Sequence, residues 1–177
     1  MSTDPRITLL SEHVRDIPDF PKPGILFKDI TPLLADSTAL RVSIEVLADK
    51  CRDLRPDVVV GIESRGFLFG VPLAMALGAG FVPVRKPGKL PYKRARIEYA
   101  LEYGSDALEM HEDAVTPGQR VLVVDDVIAT GGTARATCQL IRQAGAEPIA
   151  CAFLIELSFL DGGAKLAPVP TIAALRY

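Results

Sequence analysis

Residues 121–133 read Val121-Leu122-Val123-Val124-Asp125-Asp126-Val127-Ile128-Ala129-Thr130-Gly131-Gly132-Thr133, an order that few folds accommodate. Four apolar, mostly β-branched residues make a strand hydrophobic on both faces, which suits a parallel sheet covered on both sides. Two carboxylates follow at its carboxyl end, where open α/β sheets place their ligands. A short loop with two hydroxyl residues and two glycines then runs into a helical segment from Ala134. Glycine lets a backbone come close, and the unpaired N–H groups of a helix start point at whatever sits there. The result is a socket for one phosphate, with two acidic acceptors beside it for hydroxyls. A phosphorylated sugar fits that description. Taken singly, an acidic pair is a solvated strand end and Gly-Gly a plain turn; all the parts in this order favour the socket.

Rival phosphate motifs are absent. No Gly-x-x-x-x-Gly-Lys-Ser/Thr occurs, and Gly78-Ala79-Gly80 fails the dinucleotide pattern because Pro83 stands where a glycine is needed. A polypeptide of 177 residues, 49% hydrophobic and 24% charged, fits one domain with a real core. Its net charge of −2 repels polyanions, which argues against nucleic acid or an anionic membrane as partner. Cys51, Cys138 and Cys151 are odd in number and widely spaced, as expected of reduced, semi-buried, inert thiols in a cytoplasmic protein. Two histidines far apart, His13 and His111, argue against a His-based zinc site. The first 16 residues are charged and lack an apolar stretch, so no secretory leader is expected. Gly66–Val84 is 19 residues without a charge, but its four glycines, Pro72 and Pro83 disfavour a membrane span. A buried helix over 65–77, a glycine turn and a strand over 81–84 account for it better, and the protein reads as soluble.

Helical periodicity opens around Ile7–Val14. Asp16–Pro32 carries Pro18, Pro21, Pro23 and Pro32, which predicts a rigid extended arm. Ala39–Leu54 is amphipathic, with Leu40, Ile44, Leu47 and Cys51 on one stripe, and Val58–Gly61 predicts a buried strand. From Arg96 to Tyr103 the residues alternate, with Ile97, Tyr99, Leu101 and Tyr103 on one face and Arg96, Glu98, Ala100 and Glu102 on the other. With Gly104-Ser105 as a turn and Ala107–Met110 returning, a hairpin standing off the core is expected. Strand Val121–Val124, helix Thr133–Ala144 stopped by Gly145, and strand Ile149–Leu157 complete the core. Strands alternating with helices define an α/β fold with a doubly wound parallel sheet.

Three further runs carry chemistry. Glu63-Ser64-Arg65-Gly66 follows a buried strand and enters a helix, so backbone amides and one guanidinium can hold an anion there. The plainer reading is a helix start with Ser64 as N-cap and Arg65 solvated. Arg85, Lys86, Lys89, Lys93, Arg94 and Arg96 form a basic block with no acid among them. It is either a solvated face or a lid that brings cations onto an anionic leaving group. Phe27, in the proline arm, is either a core aromatic or a stacking platform.

Together these runs resemble type I phosphoribosyltransferases in the wording of their adenine-specific branch. The resemblance is carried by Asp125-Asp126-x-x-Ala129-Thr130-Gly131-Gly132-Thr133 and by Glu63-Ser64-Arg65-Gly66-Phe67-Leu68-Phe69-Gly70. It continues through Arg85-Lys86-x-Gly88-Lys89-Leu90-Pro91, Tyr99-x-Leu101-Glu102-Tyr103-Gly104 and Pro21–Thr31. It extends from Pro18 to Tyr177 in family order; Tyr92-Lys93-Arg94-Ala95-Arg96 lies outside the pattern.

The resemblance implies one domain over 1–177, with a small N-terminal hood at about 16–34 and a projecting β-hairpin lid at about 85–110. It implies transfer of the 5-phosphoribosyl group of 5-phosphoribosyl 1-diphosphate to adenine, giving AMP and diphosphate. Ala129, Thr130, Gly131, Gly132 and Thr133 would bind the 5′-phosphate, and Asp125 and Asp126 the ribose hydroxyls. Both acids would also favour positive charge on the sugar. Arg65, Arg85 and Lys89 would neutralise the diphosphate, Tyr103 would help close the lid, and Glu102 would handle the purine proton. Phe27 would stack on the base, backbone groups of Leu26 and Lys28 would read its edge, and Leu157 would cover its other face. Mg²⁺ would be held mainly by the substrate's diphosphate and ribose hydroxyls, with no metal site of the protein's own. A homodimer in which Arg85 reaches the neighbouring site, and a non-proline cis peptide at Glu63–Ser64, are further implications.

Two alternatives stay open. A 6-oxopurine in place of adenine keeps the same chemistry, though its enzymes usually word the phosphate loop otherwise. A regulator that binds the sugar diphosphate without turnover would normally add a DNA-binding segment and lose lid residues.

Overall fold

The computed structural model describes residues 4–100 and 105–177. They form two compact units, Met1–Val46 and Leu47–Tyr177.

In the first unit α1 (Pro5–Glu12) is capped by Asp4, whose carboxylate accepts the Arg6 N–H at 2.9 Å. The proline arm is folded back on itself: β1 (Arg15–Pro18) and β2 (Leu26–Asp29) form an antiparallel ribbon. Its register sets Asp16 against Lys28, Ile17 against Phe27 and Pro18 against Leu26. Pro18 has no N–H to give, so the ladder bonds fall on Ile17 and Phe27. The backbone groups of Leu26 and Lys28 thereby point to the ribbon's outer edge. Asp29 accepts the Thr31 N–H and hydroxyl at 2.9 and 2.8 Å to start α2 (Thr31–Ala35). Asp36 accepts from the N–H groups of Thr38 and Ala39 at the start of α3 (Ser37–Cys51). The Ala39 bond chiefly holds its carboxyl below the usual range.

In the second unit the sheet contains β3 (Val58–Ile62), β4 (Gly80–Val84), β7 (Arg120–Ile128), β8 (Glu147–Glu156) and β9 (Thr171–Arg176). Strand order is β4-β3-β7-β8-β9, every pairing parallel. The crossovers include α4 (Gly66–Leu77) between β3 and β4 and α5 (Gly132–Gln143) between β7 and β8. Every residue of β3 is buried, as are Val121–Val124, which is why these segments are apolar on both faces. Leu140 and Ile141 of α5 join Val60, Val123 and Phe153 in the core. From β3 the path goes one way to β4 and the other way to β7, so the sheet reverses between β3 and β7. A doubly wound sheet binds its ligand at that reversal.

The excursion between β4 and β7 holds the hairpin β5 (Arg94–Ala100) and β6 (Ser105–His111). It does not stand wholly off the core. Ala107, Leu108, Glu109 and Met110 of β6 are buried, and Ile97 and Tyr99 pack against the same core. Leu101, Glu102, Tyr103 and Gly104 lie outside the described residues.

Candidate active site

The two acids are not beyond the strand, as the sequence suggested, but inside it. Gly61 and Val124 are the last residues paired between β3 and β7. From Asp125 onward β7 is paired with β8 alone, with Asp125 against Phe153 and Val127 against Ile155. Outrunning β3, the strand carries both carboxylates along the open side of the reversal. Nor are they exposed: the Asp126 side chain is 5% accessible and its Oδ2 lies 2.9 Å from Arg65 Nε. Asp125 Oδ1 accepts the Asp126 N–H at 2.9 Å. Gly66 opens α4 against this strand so closely that a Cβ there would lie 2.7 Å from Val124 O and 3.0 Å from Asp125 Oδ1.

Burial pushes the Asp125 carboxyl up to about 8, the charge of Asp126 adding to the rise and the Asp126 N–H and Arg65 opposing it. A raised folded value means that the folded protein holds an extra proton between the ordinary carboxylate range and that point. Stability from this group is therefore full in acid and is lost as pH rises through about 8. Asp125→Asn is neutral throughout. The ligand-free variant should lose less melting temperature than wild type between about pH 5 and pH 9; parallel curves would disprove the shift.

Beyond Ile128 the backbone turns through Ala129, Thr130 and Gly131 into α5. Ala129, Thr130, Gly131, Gly132 and Thr133 line one pocket with Asp125 and Phe153. Gly131 caps the helix at φ +79°, leaving the first-turn N–H groups without intrahelical partners. The loop from which the sequence predicts an anion socket thus lines a pocket at the start of α5. One close contact of this loop was not expected. Gly162, after β8, is packed under the loop: a Cβ on Gly131 would lie 2.5 Å from Gly162 O, and one on Gly162 would fall on Ala129 O. Asp161-Gly162-Gly163 is a second glycine pair after an apolar strand, the one signal that pointed to it.

The Glu63–Ser64 peptide is cis. Ser64 does not cap α4; Arg65 occupies that position, and its guanidinium turns to Asp126. Glu63 accepts from Arg85 Nε at 3.0 Å and from the Lys86 N–H at 2.8 Å. The Arg85 bond holds the Glu63 carboxyl below its usual range, outweighing burial, with the Lys86 N–H adding to it. The basic block is thus largely neutralised by acids from other elements. Lys86 pairs with Asp106 and Arg94 with the buried Glu109 at 3.1 Å, whereas Arg96 pairs with Glu98 of its own strand at 2.8 Å. Glu109 also accepts the Gly88 N–H at 3.0 Å. Lys89 is exposed and has no ion pair among the described residues.

Of the residues assigned to the base, Leu26, Phe27 and Lys28 lie on β2 in the first unit, and Leu157 follows β8 in the second. Phe27 makes an edge-to-face contact with Phe20 at 5.1 Å between ring centres. The Lys28 ammonium pairs with Asp16 across the ribbon at 2.6 Å. Leu157 donates its N–H to Ile128 O at 3.0 Å, tying the ends of β8 and β7 together. Glu102 and Tyr103 fall outside the described residues. The three cysteines are buried, and Cys138 and Cys151, distant in sequence, bring their Sγ atoms within 3.5 Å.

A reversed parallel sheet with a phosphate loop and two acids at the reversal is the arrangement of a phosphoribosyl-transfer domain, and residues 32–170 match the phosphoribosyl transferase domain family. An adenine phosphoribosyltransferase of Gloeothece citriformis is 60% identical over 166 residues, 93% of this protein and 96% of that one. The crystal structure of adenine phosphoribosyltransferase from Thermoanaerobacter pseudethanolicus superposes with a TM-score of 0.94 at 51% identity, over 97% and 99% of the two proteins. That of Saccharomyces cerevisiae, complexed with adenine and an imino-altritol bisphosphate, does so at 0.92 and 40%, over 97% and 99%. The protein belongs to the phosphoribosyltransferase family and, within it, to the adenine phosphoribosyltransferases.

Proposed function

We infer that this protein is a pentosyltransferase of purine salvage: it moves the 5-phosphoribosyl group of 5-phosphoribosyl 1-diphosphate onto adenine, giving AMP and diphosphate. The observation that carries this is the Ala129–Thr133 socket beside Asp125 and Asp126, facing the Arg65 turn at the sheet reversal. Its test is formation of AMP from adenine and the sugar diphosphate, with hypoxanthine and guanine as competitors. No product from any base would leave a binding protein.

On this reading residues 1–177 are one functional domain, with the hood at about 16–34 and the lid at about 85–110. The first-turn amides and the Thr130 and Thr133 hydroxyls hold the 5′-phosphate. As the bond from C1′ to the diphosphate oxygen breaks, its electron pair leaves with the diphosphate. The purine nitrogen forms the new bond to C1′, and Glu102 takes the proton which that nitrogen sheds. Asp125 and Asp126 accept from the ribose hydroxyls and face the cationic sugar. Arg65, Arg85 and Lys89 receive the leaving diphosphate, the first two by exchanging Asp126 and Glu63 for it. Tyr103 closes over the site. Phe27 stacks on adenine, Leu26 and Lys28 read its edge through their backbone, and Leu157 covers the opposite face.

Mg²⁺ would be held mainly by the diphosphate and ribose hydroxyls of the substrate and would supply positive charge to the leaving diphosphate. The nearest carboxylates are already committed, Asp125 to the Asp126 N–H and Asp126 to Arg65, which fits hydroxyl acceptors better than a metal cage. Three buried free thiols support a reducing compartment, the cytoplasm. Among the described residues no helix is long and apolar enough to cross a membrane.

A homodimer belongs to the same reading. Leu68, Val71 and Met75 share one face of α4 and are 46%, 42% and 78% exposed, an apolar stripe suited to a second copy. Sedimentation at micromolar concentration should give a dimer mass for wild type and a monomer mass for Leu68→Glu, Met75→Glu. A wild-type monomer would remove this part of the reading.

A further inference from the structure

The hydroxyl of Tyr99 lies at the end of a hydrogen-bonded relay that no step above uses. It donates to Asp106 Oδ2 at 3.2 Å, and it lies 3.2 Å from Thr133 Oγ1 in the phosphate socket. Asp106 is held in turn by Lys86 and accepts the Ala107 N–H at 2.8 Å. The ring of Tyr99 packs against the core, so its hydroxyl reaches the socket from a fixed side chain.

The direction of these bonds has a consequence. Burial works against the ionised form of Asp106, yet Lys86, the Ala107 N–H and Tyr99 together hold its carboxyl below the ordinary range. An ionised carboxylate only accepts, so the single Tyr99 hydrogen goes to Asp106. Without ligand, the bond between the two hydroxyls is therefore donated by Thr133. A phosphate oxygen also only accepts. When it arrives, the Thr133 hydrogen must turn to it, and the Thr133 oxygen then needs a donor. Tyr99 supplies that donor by turning from Asp106, which keeps Lys86 and the Ala107 N–H.

Resting on the function inferred above, we propose that Tyr99 is a positioning residue for the 5′-phosphate: its hydroxyl, held by Asp106 in the ligand-free protein, orients the Thr133 hydroxyl toward the ligand once it turns to Thr133. The row of hydroxyls polarises along its length, so the Thr133 donor is stronger with Tyr99 behind it than alone.

The test is calorimetric titration of ribose 5-phosphate, and separately of inorganic diphosphate, into wild type, Tyr99→Phe, Thr133→Val and the double variant. Phenylalanine keeps the packed ring and removes only the hydroxyl. Tyr99→Phe should weaken ribose 5-phosphate about 3- to 10-fold, raise KM for the sugar diphosphate by a like factor, and leave kcat within about 2-fold. Binding of inorganic diphosphate, which lacks the sugar phosphate, should be unchanged. Adding Tyr99→Phe to Thr133→Val should cost nothing further, because the effect passes through the Thr133 hydroxyl. Wild-type affinity for ribose 5-phosphate in Tyr99→Phe would overturn the proposal, and so would two losses that multiply. Equal weakening of both ligands would reduce Tyr99 to a packing residue and overturn it too. If wild type itself bound no ribose 5-phosphate, the assignment of the socket would fall first, and this proposal with it.

Discussion

Adenine should be used with a kcat/KM about 10⁴-fold above that of hypoxanthine or guanine. Adenine offers an N6 donor beside an N1 acceptor, whereas both 6-oxopurines offer an O6 acceptor beside an N1–H donor. A backbone carbonyl and N–H that match the first pattern oppose both groups of the second. The ribbon register presents such groups at its edge, because Pro18 opposite Leu26 removes that pair from the ladder and turns Leu26 and Lys28 outward. In a dry pocket a mismatched pair leaves two polar groups unsatisfied, and that supports discrimination of this size. Side chains then matter little to the choice. Lys28, whose ammonium is engaged by Asp16, can become alanine with base preference intact. Phe27→Ala should weaken adenine binding through lost stacking while leaving the ratio between bases high. Comparable kcat/KM for a 6-oxopurine would overturn the assignment of adenine and leave the phosphoribosyl chemistry standing.

The double variant Asp125→Asn, Asp126→Asn should lose on the order of 10²- to 10³-fold in kcat while folding normally. Both side chains keep their shape and their acceptor oxygens. What disappears is negative charge beside a sugar that becomes cationic as its bond to diphosphate breaks. The two singles should not be equal. Burial and the neighbouring charge keep Asp125 protonated at neutral pH in the ligand-free protein, so asparagine resembles what is already there. Asp126 makes the ion pair with Arg65, and Asp126→Asn should account for most of the loss. Steady-state kcat with circular dichroism on the same samples separates chemistry from folding. Near-normal turnover by the double variant would end the proposed role of these acids.

What could be read in advance, and what could not, divides along physical lines. Val58–Ile62 and Val121–Val124 announced themselves because a strand buried on both faces has no polar position to blur its pattern. The strand Thr171–Arg176 was missed, since it follows Pro168 and Pro170 and its alanines carry little hydrophobic signal. Two charges in a row at Asp125 and Asp126 looked like the end of a strand, yet pairing with β8 continues to Ile128. The proline arm looked extended because prolines hide the alternation, although Pro18 fits the ribbon where no N–H is required. The Ala129–Thr133 loop was legible because its own residues are contiguous. The partners of the basic block were not: Glu63, Asp106 and Glu109 come from other strands and turns, and spacing along the sequence is silent about them.

The interlock of Gly131 and Gly162 bears on how far the phosphate signature can travel. Thirteen contiguous residues spell the loop, but the backbone it packs against arrives 31 positions after Gly131, on the far side of an entire helix and strand. A nascent polypeptide that has emerged only as far as α5 carries the full wording and has no finished receptacle. Grafted onto a foreign sheet, the same thirteen residues would lack the surface that fixes the path of Ala129 to Gly131. The recognisable motif is in that sense half of a two-piece mould, and the unmarked half decides its shape.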